Sequence, residues 1–190
     1  KPLHRLIMLS DAYQRSSHAS QTAHEQDPNN QWLSHFSPRR LTAEEIRDSL
    51  LAVSKELDSL PGEAHPFPPE STWNFSQHAP FHAVYQTNKR SVYMMVQRQR
   101  RHPFLTLFDG PDPNASSPVR QQTTVPTQAL YFLNDEFFHS YANLTASRIL
   151  ASDPANPMID ELYQLLFQRL PTNAETDITL QFINTYDGTN

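Results

Sequence analysis

The sequence predicts a mainly α-helical fold, a helical bundle with long ordered proline-rich loops and at most a small β element. A capped amphipathic segment at residues 41–60 favours helices, and so does the repeated apolar spacing from residue 126 onward. The loops follow from 16 prolines among 190 residues, because proline lacks a backbone donor and interrupts helices. We therefore expect a single domain over 1–190. Its three parts are N-terminal helices and a loop at 1–60, a proline-rich irregular segment with a short strand at 61–125, and C-terminal helices at 126–190.

The N-terminal part is predicted to begin with a helix. Apolar residues recur at helical spacing over residues 2–16. Residues 17–38 are polar and predict a long loop, which Trp32, Leu33 and Phe36 would anchor to a core.

The segment at 41–60 has the clearest local signal. Thr42 is a preferred N-cap residue and Glu45 lies three positions later, which is the pattern of a capping box. Apolar residues then recur at intervals of three and four, and Pro61-Gly62 ends the pattern. The sequence therefore predicts an amphipathic helix across this whole segment.

The middle part is predicted to be irregular. Nine prolines lie between residues 61 and 125, which forbids a long helix there. Residues 91–97 (SVYMMVQ) are the best candidate for a strand, with residues 82–85 as the nearest partner.

The C-terminal part is predicted to consist of several helices. Pro126 suits the first position of one helix, and Asn134 is expected to cap the next. A third helix is expected to start at Asn156-Pro157. Thr172 and Glu175 form a second capping box before the last helix.

The composition excludes several classes of function. The chain has 15 Lys+Arg against 20 Asp+Glu, a formal charge of −5, so whole-chain electrostatics do not favour nucleic acid. No apolar run approaches the length of a membrane span. Three glycines cannot build a glycine-rich phosphate loop, and the absence of cysteine excludes disulfides, a thiol nucleophile and CxxCH haem attachment.

Two clusters suggest metal ligands, but each has a simpler interpretation. His78 and His82 have the spacing that places two imidazoles on one helix face, and His65 could join them. Pro80 stands between the pair and argues against that helix. Residues 109–114 (DGPDPN) concentrate oxygen ligands, yet they lack the EF-hand pattern and fit a proline-stiffened turn. We therefore predict no metal site.

Arginines and one aspartate near the irregular segments are the candidate ligand-binding residues. A guanidinium can bind loop carbonyls with up to five donors, or it can bind an anionic ligand such as a sulfated glycan. The sequence leaves both interpretations open and names no catalytic residue. The candidates are Arg39, Arg40, Arg90, Arg98, Asp109 and Arg120.

Several sequence blocks are specific enough to indicate a family. The strongest are residues 39–48 (RRLTAEEIRD) and 126–130 (PTQAL), the latter followed by Leu133-Asn134-Asp135. Weaker blocks at 3–7, 89–93 and 166–169 extend the pattern over nearly all of the chain. Together these blocks resemble the domain of unknown function family 1553.

The resemblance implies a C-terminal fragment of a large, exported, planctomycete-type bacterial protein, and hence an extracytoplasmic location. The first residue, Lys1, is consistent with a fragment. Such proteins often carry a cytochrome c module, so haem would belong to another module and this fragment would hold no cofactor. The family has no established activity, so no catalytic residue can be carried over.

The leading hypothesis is therefore a non-catalytic interaction or structural domain. Its expected partners are other domains of the same polypeptide, with a cytochrome c module or a cell-envelope glycan as the two further candidates. The alternative is part of an extracytoplasmic enzyme acting on a sulfated or other cell-envelope polysaccharide, with an arginine-lined anion-binding cleft. A third hypothesis is a charged docking surface for a cytochrome, whose binding would weaken with salt. We expect neither nucleic acid nor a membrane span.

Overall fold

The computed structural model describes residues 1–65, 67–73, 81–151 and 157–186. Over these residues the chain is helical and forms no sheet, and its β contact is a single parallel bridge between Asp58 and Lys89. The prediction of a mainly α fold is confirmed. The helices of this described part are α1 (Pro2–Met8), α2 (Gln21–Gln26), α3 (Ala43–Val53), α4 (Pro103–Leu107), α5 (Pro126–Asn134), α6 (Glu136–Leu150), α7 (Met158–Phe167) and α8 (Asn173–Thr185), with short 3-10 helices at Glu70–Thr72 and Ser91–Tyr93.

The chain divides into two compact units, Lys1–Leu41 and Thr42–Asn190. In the first unit, polar side chains close the loop that follows α2. The Asp27 carboxylate is buried and accepts hydrogen bonds from the backbone N–H groups of Gln31 and Trp32, at 2.8 and 2.7 Å. The Asn30 amide donates to the His35 carbonyl at 2.7 Å.

Two expectations for this first unit were wrong. The first helix ends at Met8, well before residue 16, and the expected loop contains α2, which the Ser20 hydroxyl caps. Trp32 does not anchor the loop to a core, because 73% of its surface is exposed. The loop conformation is set by the buried Asp27 and by Asn30, which has a positive φ of 51°.

In the second unit, α3 begins as the sequence predicts. Thr42 and Glu45 make both reciprocal bonds of the capping box. The helix nevertheless ends at Val53, several residues before Pro61-Gly62. The Ser54 hydroxyl bonds the carbonyl of Leu50 at 3.0 Å, and Lys55 has a positive φ of 66°, so the last turn closes here.

The main apolar cluster joins α3, α4 and α5. Ala43, Phe104 and Phe108 are buried at its centre, and Tyr131 and Phe132 pack against them. The Phe104 and Phe108 rings lie 5.0 Å apart. Helix α4 begins with Pro103 at its first turn, inside a segment that we expected to be irregular. Pro103, which the sequence pattern suggested would interrupt helices, instead occupies the first position of one.

The strand predicted at residues 91–97 was wrong, because this region begins with the 3-10 helix Ser91–Tyr93. Ser91 is buried, and both its backbone N–H and its hydroxyl bond the Asp48 carboxylate of α3. A backbone N–H that donates to a side chain cannot also pair with a neighbouring strand.

The C-terminal helices follow the sequence pattern closely. Helix α5 starts at Pro126, and Asp135, one residue after the expected Asn134, caps α6. Thr172 and Glu175 form the predicted capping box of α8. The expected start of α7 at Asn156 lies outside the described residues. The apolar stripe of α8 is largely exposed, which the sequence pattern did not indicate.

Candidate functional site

Among the described residues of the second unit, the most buried cation is Arg47, on the face of α3 that also carries Ala43 and Leu51. Only 5% of Arg47 is exposed. Its Nη1 donates to the Lys89 carbonyl at 2.9 Å and to the Ser91 hydroxyl at 3.2 Å, and its Nη2 donates to the Thr87 carbonyl. Arg47 therefore binds the backbone of a segment about forty residues away in sequence.

The neighbouring Asp48 binds the same segment with the opposite polarity. Its Oδ1 accepts from the Ser91 N–H at 2.8 Å and from the Ser91 hydroxyl at 2.6 Å. Asp48 also lies 3.6 Å from the Nη1 of Arg47. Arg47 and Asp48, which are consecutive in α3, thus satisfy two carbonyls and one N–H of residues 87–91. This segment forms no regular strand, so its backbone groups need such partners.

Other side chains attach the same segment. Lys89 forms an ion pair with Asp58 at 2.8 Å, and the Tyr141 hydroxyl of α6 donates to the Asn88 side chain at 2.6 Å. The Arg148 guanidinium of α6 donates to the Val53 carbonyl at 2.6 Å. Because Val53 ends α3, this bond satisfies an unpaired carbonyl at the helix C-terminus, where a cation is favourable.

Beside Arg47 lies a cavity of about 220 Å³. Helices α3, α4, α5 and α6 and the segments at 84–87 and at Met94 supply its walls. The walls combine aromatic rings with a small number of polar groups. The lining residues are Arg47, Val84, Tyr85, Gln86, Thr87, Met94, His102, Pro103, Phe104, Tyr131, Asp135 and Phe137.

Burial is the first cause of the pKa shifts of three residues that line this cavity, His102, Tyr131 and Arg47. Desolvation, and next the Arg47 charge, lower the pKa of His102, so its imidazole is neutral at pH 7. Its Nδ1 is buried without a hydrogen-bond partner among the described residues. Burial, and next the hydrogen bond with Asp135, raise the pKa of Tyr131. Desolvation lowers the pKa of Arg47, but arginine stays charged because its ordinary pKa is far above neutrality.

Two of the polar groups in the cavity wall are already engaged. The Asp135 carboxylate is engaged as the N-cap of α6, accepting from the N–H groups of Phe137 and Phe138 at 3.0 and 3.3 Å. Tyr131 is held in its neutral form. The cavity therefore has the chemistry of a binding pocket, with an apolar body and few polar groups.

Two of the six candidate ligand-binding residues bond within the second unit. Arg120 forms a bidentate pair with Glu44 of α3, at 2.6 and 2.9 Å, and this pair lowers the pKa of that carboxyl. The Asp109 carboxylate accepts from the N–H and the hydroxyl of Thr123, at 2.7 and 2.8 Å. Both contacts attach irregular chain to its neighbours in the second unit.

The other four candidates lie elsewhere. Arg90 and Arg98 are exposed, and no hydrogen bond or ion pair joins their guanidinium groups to another described residue. Arg39 and Arg40 belong to the first unit, where Arg39 donates to the Arg40 carbonyl at 3.3 Å. Within the second unit, none of the predicted residues lines the cavity beside Arg47.

Arg47 and Asp48 are not among the six residues predicted from the sequence, although both lie in the family block at 39–48. A usable signal was present. Ala43, Arg47 and Leu51 follow each other at intervals of four and so share one helix face. An arginine between two apolar residues on such a face is a buried cation that requires partners.

The metal hypotheses find no support in the described part of the chain. No group of three or more histidine and acidic side chains there is arranged to hold a metal ion. His78 lies outside the described residues. In the segment 109–114, Asp112 accepts from the Asn114 N–H at 2.9 Å and lies 3.6 Å from Arg101. These contacts agree with a turn in which Asp112 binds local backbone. None of the described helices is long and apolar enough to cross a membrane.

Together, the fold and this site define a class: a small helical domain in which charged side chains bind loop backbone around an aromatic-lined cavity. The chain belongs to the family described as PSD1, protein of unknown function (DUF1553), whose model matches residues 1–183. The resemblance found in the sequence is thus confirmed at the level of the family. No curated protein matches the chain. No solved structure matches it either.

Proposed function

We propose that this chain is a non-catalytic interaction domain and that α8 carries the surface by which it docks on another domain of the same polypeptide. The observation that carries this proposal is the exposed apolar face of α8. Ile178, Phe182 and Tyr186 follow each other at intervals of four, and they are 67%, 63% and 61% exposed.

Local contacts, and not burial, hold α8 in its helical form. None of its described residues is buried. The Thr172–Glu175 capping box closes its first turn, and Arg169 binds the Glu175 carboxylate in bidentate fashion at 2.8 and 2.6 Å. A helix of 13 residues is marginal in water without packing, so a second surface is expected to cover this one.

The exposed face suits a protein partner. Each buried aromatic side chain can contribute about 150–250 Å² of contact, and Phe182 and Tyr186 already stack at 5.5 Å. Exposed apolar residues that form a continuous face mark interaction sites more often than isolated ones do. The engagement of Arg47, Asp109 and Arg120 in internal bonds also supports a structural role for the charged residues over a catalytic one.

The test compares amide hydrogen exchange of α8 in this chain alone and in the full-length polypeptide. Docking should slow exchange in α8 of the longer protein by tenfold or more. Phe182→Glu should remove that protection, whereas Asn184→Glu introduces the same charge on the opposite side of the helix and should keep it. Equal exchange rates of α8 in both proteins would contradict the docking surface.

The wider setting of the proposal is an exported, multidomain protein with a cytochrome c module. It rests on the family resemblance. Cell fractionation should recover the full-length polypeptide outside the cytoplasm, and a haem stain should label it. A polypeptide that is cytoplasmic and does not stain for haem would reject this setting. The docking surface would be unaffected, because hydrogen exchange of α8 tests it separately.

A second candidate is part of an extracytoplasmic enzyme acting on a sulfated polysaccharide. The exposure of Arg90 and Arg98, without an ion pair to described residues, favours it. Binding of a sulfated glycan should then fall at least tenfold in the double variant Arg90→Gln, Arg98→Gln, and the purified chain should release reducing ends. Absence of both binding and cleavage would reject this candidate.

A further inference from the structure

We infer that the cavity beside Arg47 is a binding site for a small, neutral, single-ring aromatic molecule of the phenol class. This inference goes beyond the docking proposal because α8 contributes nothing to the cavity. It rests on the shape, size and charge of the walls.

The walls favour a flat apolar ligand. Phe104, Tyr131 and Phe137 supply rings from three helices, and the Phe104 and Tyr131 centroids lie 5.5 Å apart at 48°. Met94 adds a thioether, which makes favourable contacts with ring edges. An aromatic ligand in this cavity would pack its ring against these side-chain rings.

The size limits the ligand to one ring. An engineered cavity of about 150 Å³ lined by apolar side chains binds benzene. The present cavity, at about 220 Å³, accommodates one ring with a small substituent. Gln86 and Pro103, which are both lining residues and exposed, mark where the cavity opens to solvent.

The wall carries one charge of each sign, Arg47 and Asp135, so an ion of either sign would lie close to a like charge. A cationic ligand would meet the buried Arg47. An anionic ligand would meet Asp135, and would find the Arg47 fork already donating to Lys89, Thr87 and Ser91. The face of the Arg47 guanidinium is also occupied, because its Cζ lies 5.9 Å from the Phe137 ring centroid. The preferred ligand is therefore neutral.

The remaining polar groups select a hydroxyl substituent. His102 is a neutral imidazole in the wall, and the Gln86 amide at the opening makes no hydrogen bond to a described residue. The Gln86 amide can both donate to and accept from a hydroxyl, whereas His102, whose Nδ1 is buried, can offer one such bond through Nε2. A phenol thus places its ring among the aromatic side chains and its hydroxyl toward His102 or Gln86.

The test is a titration of the full chain with phenol. Calorimetry measures the binding, and NMR monitors the methyl resonance of Met94. Saturable binding with a shift of that resonance is expected. Benzoate and benzylammonium, the anionic and cationic probes, should bind at least tenfold more weakly. Gln86→Phe narrows the opening and should weaken phenol binding at least tenfold. Gln121→Phe, an exposed position away from the cavity, should leave binding unchanged.

Three results would overturn the inference. The first is no saturable phenol binding together with an unmoved Met94 resonance. The second is benzoate or benzylammonium binding as tightly as phenol. The third is equal phenol affinity of the two glutamine variants.

Discussion

Replacement of Arg47 by methionine is the most informative perturbation of this domain. Arg47 is 5% exposed and makes hydrogen bonds to Lys89, Thr87 and Ser91. Methionine fills similar volume but offers no donor. The carbonyls that Arg47 satisfies would lose their partner, and Asp48 would lose the cation that lies 3.6 Å away.

The expected loss of stability follows from the burial of these contacts. One hydrogen bond to a charged group contributes about 1.5–3 kcal/mol, and disruption of a buried charge network costs about 3–5 kcal/mol. We expect the free energy of unfolding to fall by about 3–5 kcal/mol, a large part of the roughly 5–15 kcal/mol of a typical domain. With a urea m-value of about 2 kcal/mol/M, the unfolding midpoint would fall by about 1.5–2.5 M.

Urea unfolding followed by circular dichroism at 222 nm measures this loss. Arg120→Gln is the matched control, because it breaks an ion pair whose arginine side chain is 43% exposed and should cost less than about 1 kcal/mol. Arg47→Lys keeps the charge but not the planar fork, so most of the loss should remain. Equal midpoints for Arg47→Met and Arg120→Gln would refute the assignment of Arg47 as the main attachment of residues 87–91.

Three further predictions concern caps and close contacts. Thr42→Ala removes the capping box of α3 and should lower the free energy of unfolding by about 1 kcal/mol in the same urea assay; an unchanged midpoint would count against it. The pKa of Glu175 is lowered from 4.5 to about 2, with its hydrogen bonds to Arg169 as the first cause. Its contribution to α8 is therefore complete above pH 4.5 and is lost as the pH falls toward 2, so acid titration of helicity should show a component that Glu175→Gln lacks. Gly110→Ala places a Cβ 2.7 Å from the backbone carbonyl oxygen of Leu105 and should cost about 1–3 kcal/mol; an unchanged midpoint in thermal melts would contradict this reasoning.

The parts of the fold that could be predicted from the sequence are those fixed by neighbouring residues. The Thr42 and Thr172 capping boxes and the start of α5 at Pro126 involve contacts within three or four positions, so their patterns were sufficient. Helix α4 was missed because five residues give no readable periodicity. Residues 91–97 were assigned to a strand because their composition favours β structure, and the side chain of Asp48 outweighed that preference.

The candidate site could be predicted only in part, for a similar reason. The sequence named Arg120 and Asp109, and it could not supply their partners Glu44 and Thr123, which are 76 and 14 positions away. Arg47 was passed over because burial depends on segments distant in sequence. The cavity beside it is assembled from helices α3 to α6, and no local pattern indicates such a space.

Charged residues of α3 attach irregular backbone within the second unit. Amide hydrogen exchange at Ser91, measured by NMR on the whole chain, tests this attachment most directly. The Ser91 N–H donates to Asp48 at 2.8 Å, whereas the N–H of the neighbouring Val92, which is 77% exposed, bonds no described residue. We expect exchange at Ser91 to be at least a hundredfold slower than at Val92, and we expect rapid exchange at both residues in the double variant Asp48→Ala, Arg47→Met, which removes the acceptor of the Ser91 N–H. Equally fast exchange at Ser91 and Val92 in the unaltered chain would contradict it.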